Sequence, residues 1–304
     1  MENDIETLAV ALYVKVDDFV KEHPELAPFR PENGIPITVS DTELIAMSVM
    51  GALLGYHSER RWLRRVKKDY LGMFPRQIGQ SGYNKRLRKM PLLFMASIRM
   101  LGMDTSLWTD DVWVVDSTPV PCGCSRETVT RSDLAGFAEY GYCASHSRYF
   151  WGLRLHLVCT LHGLPVMFAL SGAKGDERDV LLGMIENDIE LVRERAGQTL
   201  IGDKNYFGKL FEEVIAESEV RLLRPVRKGE LPRAGRQYLK PFRQVIESVN
   251  WSLKSSLTLE EHGGKTDIGV FTRVLSRMLA LTAGIWFNDK TDQAAKRSLI
   301  AYDY

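Results

Sequence analysis

Three acidic residues in this sequence have the type and the setting needed to bind metal ions for phosphodiester chemistry. Asp116 and Asp203 each end a short run of β-forming residues, and Glu247 lies in a segment predicted to be helical. Two-metal phosphodiester cleavage needs hard anionic oxygen ligands that converge, so that the two ions lie about 3.5–4 Å apart. Carboxylates at the carboxyl ends of strands in an α/β sheet are well placed for this. Taken singly, Asp116 or Asp203 could equally be a turn or capping residue.

The segment around Glu247 is predicted to be a helix whose polar face also carries two cations. At about 3.6 residues per turn, Arg243 and Lys254 project from nearly the same face as Glu247. Cations beside a metal-binding carboxylate can hold DNA phosphates, so we interpret both as DNA-binding residues. A surface helix with an intrahelical ion pair would show the same stripe, and that alternative stays open. The apolar residues of the segment point broadly the other way, toward a core: Phe242, Val245, Val249 and Leu253.

The chain has a net charge of only +1, but its positive charge is concentrated in two segments. Residues 58–100 contain twelve Lys and Arg against two acidic residues, and residues 221–243 contain eight against one. Such clusters are typical of surfaces that bind polyanions, although a solvated protein surface can have the same composition. In the first segment we interpret four cations as DNA contacts: Lys85, Arg86, Arg88 and Lys89.

The predicted secondary structure that must position these residues differs between the N-terminal part of the chain and the rest. Near the N-terminus, Ser40 and Glu43 form a capping box before an apolar helical pattern, and short basic helices follow. From Trp113 onward the pattern predicts three strands, a helix, a strand, a helix, a strand and further helices. That order matches an α/β ribonuclease-H-like core with a mixed five-stranded sheet and flanking helices. We expect an all-helical region to precede this core.

The predicted elements give a two-part organisation. Residues 1–105 are expected to form a basic, helix-turn-helix-like DNA-binding region. Residues 106–304 are expected to form the catalytic domain, with an insertion near residues 121–149. A plain helical bundle with a basic exterior is the alternative for the first part.

The candidate residues resemble those of a known enzyme family. Asp116, Asp203 and Glu247 look like the Asp-Asp-Glu triad of DDE transposases. The spacing from Arg243 through Glu247 to Lys254 resembles the Tyr-x2-Arg-x3-Glu-x6-Lys signature of many insertion-sequence transposases. The Tyr position differs, because Lys240 occupies it and Tyr238 lies two residues earlier.

Several other segments resemble the insertion-sequence family numbered 982. The segment Gly202-Asp203-Lys204-Asn205-Tyr206 is similar to the family's Gly-Asp-x-x-Tyr motif around the second Asp. Together with the helical start of the chain, the similarity covers nearly the whole sequence. The further matching segments are Val115 to Val120, Gly141 to Ser145, and Tyr149 to His156.

The resemblance implies a function and its partners. A member of this family would cut double-stranded DNA at terminal inverted repeats and join it to target DNA, using two Mg²⁺ (or Mn²⁺) ions held by the triad. The active complex would contain a homodimer. A nuclease of the same fold that cuts without joining is one alternative, and a non-catalytic DNA-binding protein on the same scaffold is another.

Composition argues against export and membrane insertion. The N-terminus is acidic, which is atypical of a signal peptide. The longest apolar stretch, near residues 278–287, is shorter than the roughly 20 residues that span a bilayer. Four cysteines in 304 residues are too few for a disulfide scaffold, so we expect reduced thiols. These features predict a cytoplasmic protein that associates with the nucleoid when it binds DNA.

Other potential ligands are weaker candidates. Cys122, Cys124, Cys143 and His146 could be combined into a zinc site, but one short Cys-x-Cys pair is a weak signal. His156 alternates with leucines in a predicted strand and could point into the active site. The acidic turn at residues 176–179 could also compete for a metal role. The tryptophans at 113, 151 and 251 are most simply core residues.

Overall fold

The structure is a computed structural model that describes residues 4–30, 37–123, 126–143, 147–232 and 235–302. The chain divides into two compact units. One contains residues 1–105 together with 253–304, and the other contains residues 106–252. The first is helical, and the second is built around a β-sheet.

The helical unit is organised around one long apolar helix near the C-terminus. This helix, α11, packs against α1, α2 and α5. The Ser48 and Ser276 hydroxyls hydrogen-bond at 2.5 Å, and Trp286 Nε1 donates to Asp104 at 2.8 Å. The helices are α1 (Ile5–Glu22), α2 (Asp41–Leu53), α3 (Glu59–Asp69), α4 (Gln80–Leu87), α5 (Pro91–Met103) and α11 (Asp267–Lys290).

Helix α11 changes the expected grouping of the chain. Its 24 residues make it long and apolar enough to cross a membrane by length and composition, but 83% of its apolar window is buried inside the fold. That burial is typical of a core helix, and such a helix is weak evidence for a membrane span. Because α11 packs with the N-terminal helices, residues 253–304 join that unit rather than the sheet unit. The division of roles between residues 1–105 and 106–304 stays a prediction.

The capping box expected at the start of α2 is confirmed. Ser40 accepts a hydrogen bond from the Glu43 amide at 3.0 Å, and the Glu43 carboxylate accepts from the Ser40 amide. Helix α4 begins at Gln80 with Gly79 as its N-cap, and no side chain caps it.

The second unit contains a mixed sheet in the order β2-β3-β1-β5-β6, and β4 also pairs with β3. Pairing is antiparallel among β1 to β4 and parallel from β1 through β5 to β6. The described residues thus form six strands where five were expected. The additional strand β2 lies in the predicted insertion. The strands are β1 (Val112–Gly123), β2 (Glu139–Cys143), β3 (Arg148–Thr160), β4 (Pro165–Gly172), β5 (Thr199–Ile201) and β6 (Arg221–Leu223).

Helices connect and flank the strands. A short helix precedes β2, two helices lead from β4 to β5, and one lies between β5 and β6. The single helix expected between β4 and β5 is thus divided in two. The helix bearing Glu247 follows β6. These helices are α6 (Arg126–Arg131), α7 (Glu177–Asn187), α8 (Ile189–Glu194), α9 (Lys209–Glu217) and α10 (Arg236–Lys254).

Strand β1 continues past Asp116 and through Pro119 and Pro121. It runs to Gly123, so Asp116 lies near its middle rather than at its end. The Asp111 carbonyl faces β5, because it accepts a hydrogen bond from the Thr199 amide. In a strand, the nitrogen and the carbonyl of one residue point to the same side, and residues two apart share that side. The nitrogens of Pro119 and Pro121 therefore face the β5 side, where β1 pairs only through Val112–Val114. A proline at such an unpaired edge removes no ladder hydrogen bond.

Candidate active site

The two aspartates extend from neighbouring parallel strands at the same level. Val114 of β1 pairs with Ile201 of β5, and each aspartate lies two residues further along its own chain. Burial raises the pKa of Asp116 to about 7, and the negative charges of Glu177 and Asp203 also raise it. Asp116 and Asp203 are therefore close enough to interact electrostatically, as a shared metal site requires.

Glu177 is a third carboxylate near Asp116. It is the first residue of α7, which Asp176 caps by accepting a hydrogen bond from the Arg178 amide at 2.9 Å. The Ser117 hydroxyl donates to Glu177, and Arg154 donates to Ser117 at 3.0 Å and to Glu177 at 3.5 Å. The sequence indicated this acidic turn only as a competitor for the metal role. Its helix-capping pattern explains Asp176, whereas the position of Glu177 depends on packing.

The turn after β5 explains the Gly-Asp-x-x-Tyr pattern. Asp203 accepts a hydrogen bond from the Asn205 amide at 2.7 Å, which turns the chain back toward the sheet. The Tyr206 ring then packs against Gly202, where an added Cβ would lie 2.7 Å from a ring carbon. Tyr206 is buried, and its hydroxyl has no hydrogen-bond partner in the described part of the chain.

Tyr206 lies close to three carboxylates. Burial raises the pKa of Tyr206 well above its usual value, and the charges of Glu177, Asp116 and Asp203 act in the same direction. The phenol therefore stays protonated and can donate a hydrogen bond into this acidic cluster. Composition and spacing offered no signal for this role beyond the motif itself.

Helix α10 contacts the cluster through an asparagine that the sequence analysis did not single out. Asn250 is 8% exposed, and its Nδ2 donates to Asp116 Oδ2 at 3.0 Å. Its Oδ1 is buried without a hydrogen-bond partner among the described residues. Arg243 lies two turns earlier on the same helical face, and its charge opposes the rise in the pKa of Asp116.

Glu247 lies between these two residues on α10, about one turn before Asn250. Its side chain is 59% exposed and lies 3.7 Å from Arg243 in an i,i+4 ion pair. Exposed pairs of this kind hold a side chain only weakly, so Glu247 can change rotamer at little cost. Arg243, Glu247 and Asn250 share one broad face of α10, and the role of Glu247 as a third metal ligand stays a prediction.

The oxygen atoms gathered here have the chemistry of a divalent-cation site. Among residues 4–30, 37–123, 126–143, 147–232 and 235–302, no three His, Cys, Asp or Glu side chains are already arranged to hold a metal ion. The buried, unpartnered Oδ1 of Asn250 and the mutual repulsion of Asp116, Asp203 and Glu177 nevertheless fit a hard cation, which prefers oxygen ligands.

Comparison with known proteins identifies the family. The family model described as the transposase DDE domain matches residues 107–283, which is more than half of the chain. The chain belongs to the DDE transposase family. It is therefore an enzyme of the polynucleotidyl-transferase type whose partner is DNA, and DDE transposase domains generally use divalent metals. No curated protein and no solved structure matches the chain.

The transposase places its predicted DNA-binding cations in different settings. Lys85 and Lys89 are exposed on and just after α4. Arg86 is instead engaged by the Asp41 carboxylate and the Val39 carbonyl, each at 2.5 Å. Arg88 is half-buried, and Lys254 lies 3.9 Å from Glu260. Arg86 thus has a structural role that the density of basic residues could not indicate.

In the second basic segment of the transposase, two arginines are also committed to internal contacts. Arg224 is buried between Glu212 and Glu230, at 2.7 and 2.8 Å. The Arg227 guanidinium stacks over the Phe207 ring at 3.4 Å from its centroid. Only part of the positive charge of residues 221–243 is therefore available to a ligand.

The weaker candidates are accounted for by other contacts in the transposase. Burial lowers the pKa of His156 to about 4, so the ring is neutral, and its Nε2 lies 2.8 Å from the Ser171 hydroxyl. Cys143 packs in an apolar cluster with Phe150 and Ala173. Cys124 and His146 lie outside the described residues. The thiols of Cys122, Cys143 and Cys159 are not in disulfides.

One expected core residue of the transposase is exposed. Trp113 and Trp151 are buried, but Trp251 on α10 is 66% exposed. Trp251 follows Asn250 directly, and on a helix adjacent residues face directions about 100° apart. The docking of Asn250 against Asp116 therefore turns Trp251 toward the surface.

The elevated pKa of Asp116 predicts how stability depends on pH in the metal-free transposase. The folded state holds this proton up to about pH 7, whereas the ordinary value is 3.8. The resulting stabilisation is complete below pH 3.8 and is lost as the pH rises through 7. Asp116→Asn should remove this loss and be more stable than the parent by about 1–3 kcal/mol at pH 8. Urea unfolding with a chelator at pH 5 and pH 8 measures this, and parallel pH profiles of the two proteins would contradict it.

Proposed function

We propose that this transposase is encoded by an insertion sequence resembling the 982 family. It cuts DNA at terminal inverted repeats and transfers the strand ends to target DNA. The observation that carries the proposal is the convergence of Asp116 and Asp203 on neighbouring strands beneath the helix of Glu247, with Asn250 bonded to Asp116.

The strand order supports a ribonuclease-H-like core. Without β2, the sheet has the order β4-β3-β1-β5-β6, with three antiparallel strands followed by two parallel ones. The short strand β2 and helix α6 are then an insertion within the first hairpin, as expected near residues 121–149. In such a sheet, the carboxyl end of β5 and the middle of β1 form one rim for the acidic residues.

We assign the metal ligands to Asp116, Asp203 and Glu247, which would together hold two Mg²⁺ or Mn²⁺ ions. When bound, these ions supply activation of the attacking oxygen and charge stabilisation at the leaving oxygen. Asn250 fixes the carboxylate of Asp116 by donating to it at 3.0 Å. Arg154 and Ser117 hold Glu177 beside the same cluster, where it adds negative charge close to the ligands.

The cations hold the DNA around this centre. Arg243 and Lys254 on α10 contact phosphates beside the metals, while Lys85, Arg88 and Lys89 belong to the region that recognises the terminal repeats. Arg86 is the weakest of these assignments because Asp41 already neutralises it. Two copies of the chain would form the active complex, one for each end of the element.

A cleavage and joining assay tests the proposal. DNA carrying the terminal repeats should be cut and joined to a second DNA with Mg²⁺ or Mn²⁺, and a chelator should abolish both steps. Ca²⁺ should support DNA binding but not chemistry, because its looser coordination positions the nucleophile poorly.

Three outcomes would contradict parts of this proposal. Cleavage without joined products would indicate a nuclease of the same fold. Specific DNA binding without any cleavage would indicate a non-catalytic scaffold. Undiminished cleavage after exhaustive chelation would exclude the two-metal assignment.

A further inference from the structure

A cavity in the helical unit is lined by far more positive than negative charge. It lies among α2, α3, α4 and α11 and is partly open to solvent. Three arginines line it, from the end of α4 and from α11, and only one carboxylate does so. The charged residues that matter here are Arg88, Arg273, Arg277 and Glu59.

The single carboxylate is already engaged. Glu59 pairs with Arg273 at 2.5 Å, and the Asn84 amide donates to both of its oxygens at 3.0 and 3.1 Å. Within the part of the chain that the structure describes, neither Arg88 nor Arg277 forms an ion pair with a carboxylate. Two guanidinium charges beside this cavity are therefore not balanced by acidic side chains.

Burying its charge is more destabilising for Arg277 than for Arg88, because the side chain of Arg277 is almost entirely buried. It is 5% exposed and donates only to uncharged oxygens: the Thr258 carbonyl and hydroxyl, each at 3.3 Å, and the Arg273 carbonyl at 3.0 Å. Burial, with the charge of Arg273, lowers the pKa of Arg277 to about 10, and the negative charge of Glu59 offsets this only in part. A buried charge without a counter-charge is destabilising, and a bound anion would offset that penalty.

One of these guanidinium groups also has a donor that no other described residue uses. The Nε of Arg88 is buried without a partner in the described residues. Guanidinium groups bind tetrahedral oxyanions through paired N–H donors, which distinguishes such a site from one for a simple halide.

We propose that this cavity binds a phosphate group, contacted by Arg88 and Arg277. This site is separate from the acidic cluster and does not depend on the proposed function, since the inference rests only on the charge, burial and donors of the helical unit. The phosphate can belong to DNA or to a small phosphorylated ligand, and both sources share this chemistry.

Inorganic phosphate is the probe for this site. Thermal unfolding of the full chain is followed against phosphate concentration, with KCl added to hold ionic strength constant. A ligand that binds only the folded state raises the melting temperature in a saturable way. We expect such a rise for the parent protein and at least tenfold weaker phosphate binding for Arg88→Gln, which removes a half-buried side chain without opening the core.

Arg60→Gln is the matched control, because it removes the same charge from an exposed position on α3 outside the cavity. It should retain the parent response to phosphate. Arg277→Lys keeps the buried charge but loses the paired donors, so it should also weaken phosphate binding if it folds. A rise no larger than that given by KCl alone, or equal losses in Arg88→Gln and Arg60→Gln, would overturn the proposal.

Competition with labelled duplex DNA then distinguishes the two sources of phosphate. If the cavity takes a DNA phosphate, saturating inorganic phosphate should weaken DNA binding by the parent more than by Arg88→Gln at fixed ionic strength. If DNA affinity is unchanged while phosphate still stabilises the parent, the site takes a small phosphorylated ligand. Phosphate binding in the absence of any DNA cleavage would support this site and count only against the proposed function.

Discussion

Asp116→Asn and Asp203→Asn are each expected to reduce DNA cleavage by more than about a thousandfold, which corresponds to about 4 kcal/mol of transition-state stabilisation. Each substitution keeps the shape of the side chain but removes a charged oxygen ligand. DNA binding should be nearly unchanged. A donor-cleavage assay run beside a binding assay measures both effects, and substantial cleavage by either variant would show that the ligand is misassigned.

Glu247→Gln should have the same effect, and its comparison with Glu177→Gln is the sharper experiment. Glu177 acts beside the ligands in our assignment, so its loss should cost only about tenfold in cleavage, or roughly 1.4 kcal/mol. The two residues differ in surroundings, since Glu177 is held by Ser117 and Arg154 while Glu247 is largely exposed. If Glu177→Gln is inactive and Glu247→Gln is active, the third ligand is Glu177.

Arg243→Ala and Lys254→Ala are each expected to lower cleavage or joining by about ten- to a hundredfold, or roughly 1.4–2.8 kcal/mol. The reason is that both cations hold DNA phosphate in the reacting complex. The exposed i,i+4 ion pair of Arg243 with Glu247, at 3.7 Å, should contribute only a few tenths of a kcal/mol to stability. The contact of Lys254 with Glu260 is longer still, at 3.9 Å. Melting temperatures should therefore barely move.

Single-turnover cleavage and strand transfer, with thermal unfolding in parallel, separate this role from a structural one. Glu260→Ala is the matched control, because it breaks the ion pair of Lys254 but keeps the cation. Lys254→Arg should rescue activity only partly, since a planar fork does not replace a compact ammonium. If both alanine variants cleave and join DNA at normal rates, or lose activity only because they unfold, these residues have a structural role and do not bind DNA.

The parts of this architecture that could be predicted are those set by local sequence. Strand-forming runs before Asp116 and Asp203, and the cap at Ser40, depend on neighbouring residues, so their patterns are visible in the chain. The path of β1 was not predictable in the same way. Whether a proline ends a strand depends on whether its nitrogen faces a partner strand, and that is a property of the sheet.

The partners of Asp116 were hidden for a related reason. Asn250 and Glu177 are distant from Asp116 in the sequence, and only the packing of α10 and α7 brings them near it. Spacing on α10 correctly grouped Arg243 with Glu247, but it could not distinguish the buried Asn250 from the exposed Trp251. Arg86 shows the same limit, because a basic run does not indicate which cation binds a carboxylate of its own fold.

The two prolines of β1 also bear on how this protein behaves at high concentration. Beyond Val114, the β5 side of β1 has no neighbouring strand among the described residues, and an open strand edge can pair with another chain. Pro119 and Pro121 offer no N–H group along that edge, so an incoming strand would find acceptors without the matching donors. Strand β1 therefore offers few hydrogen-bond donors to a strand of another chain at this edge.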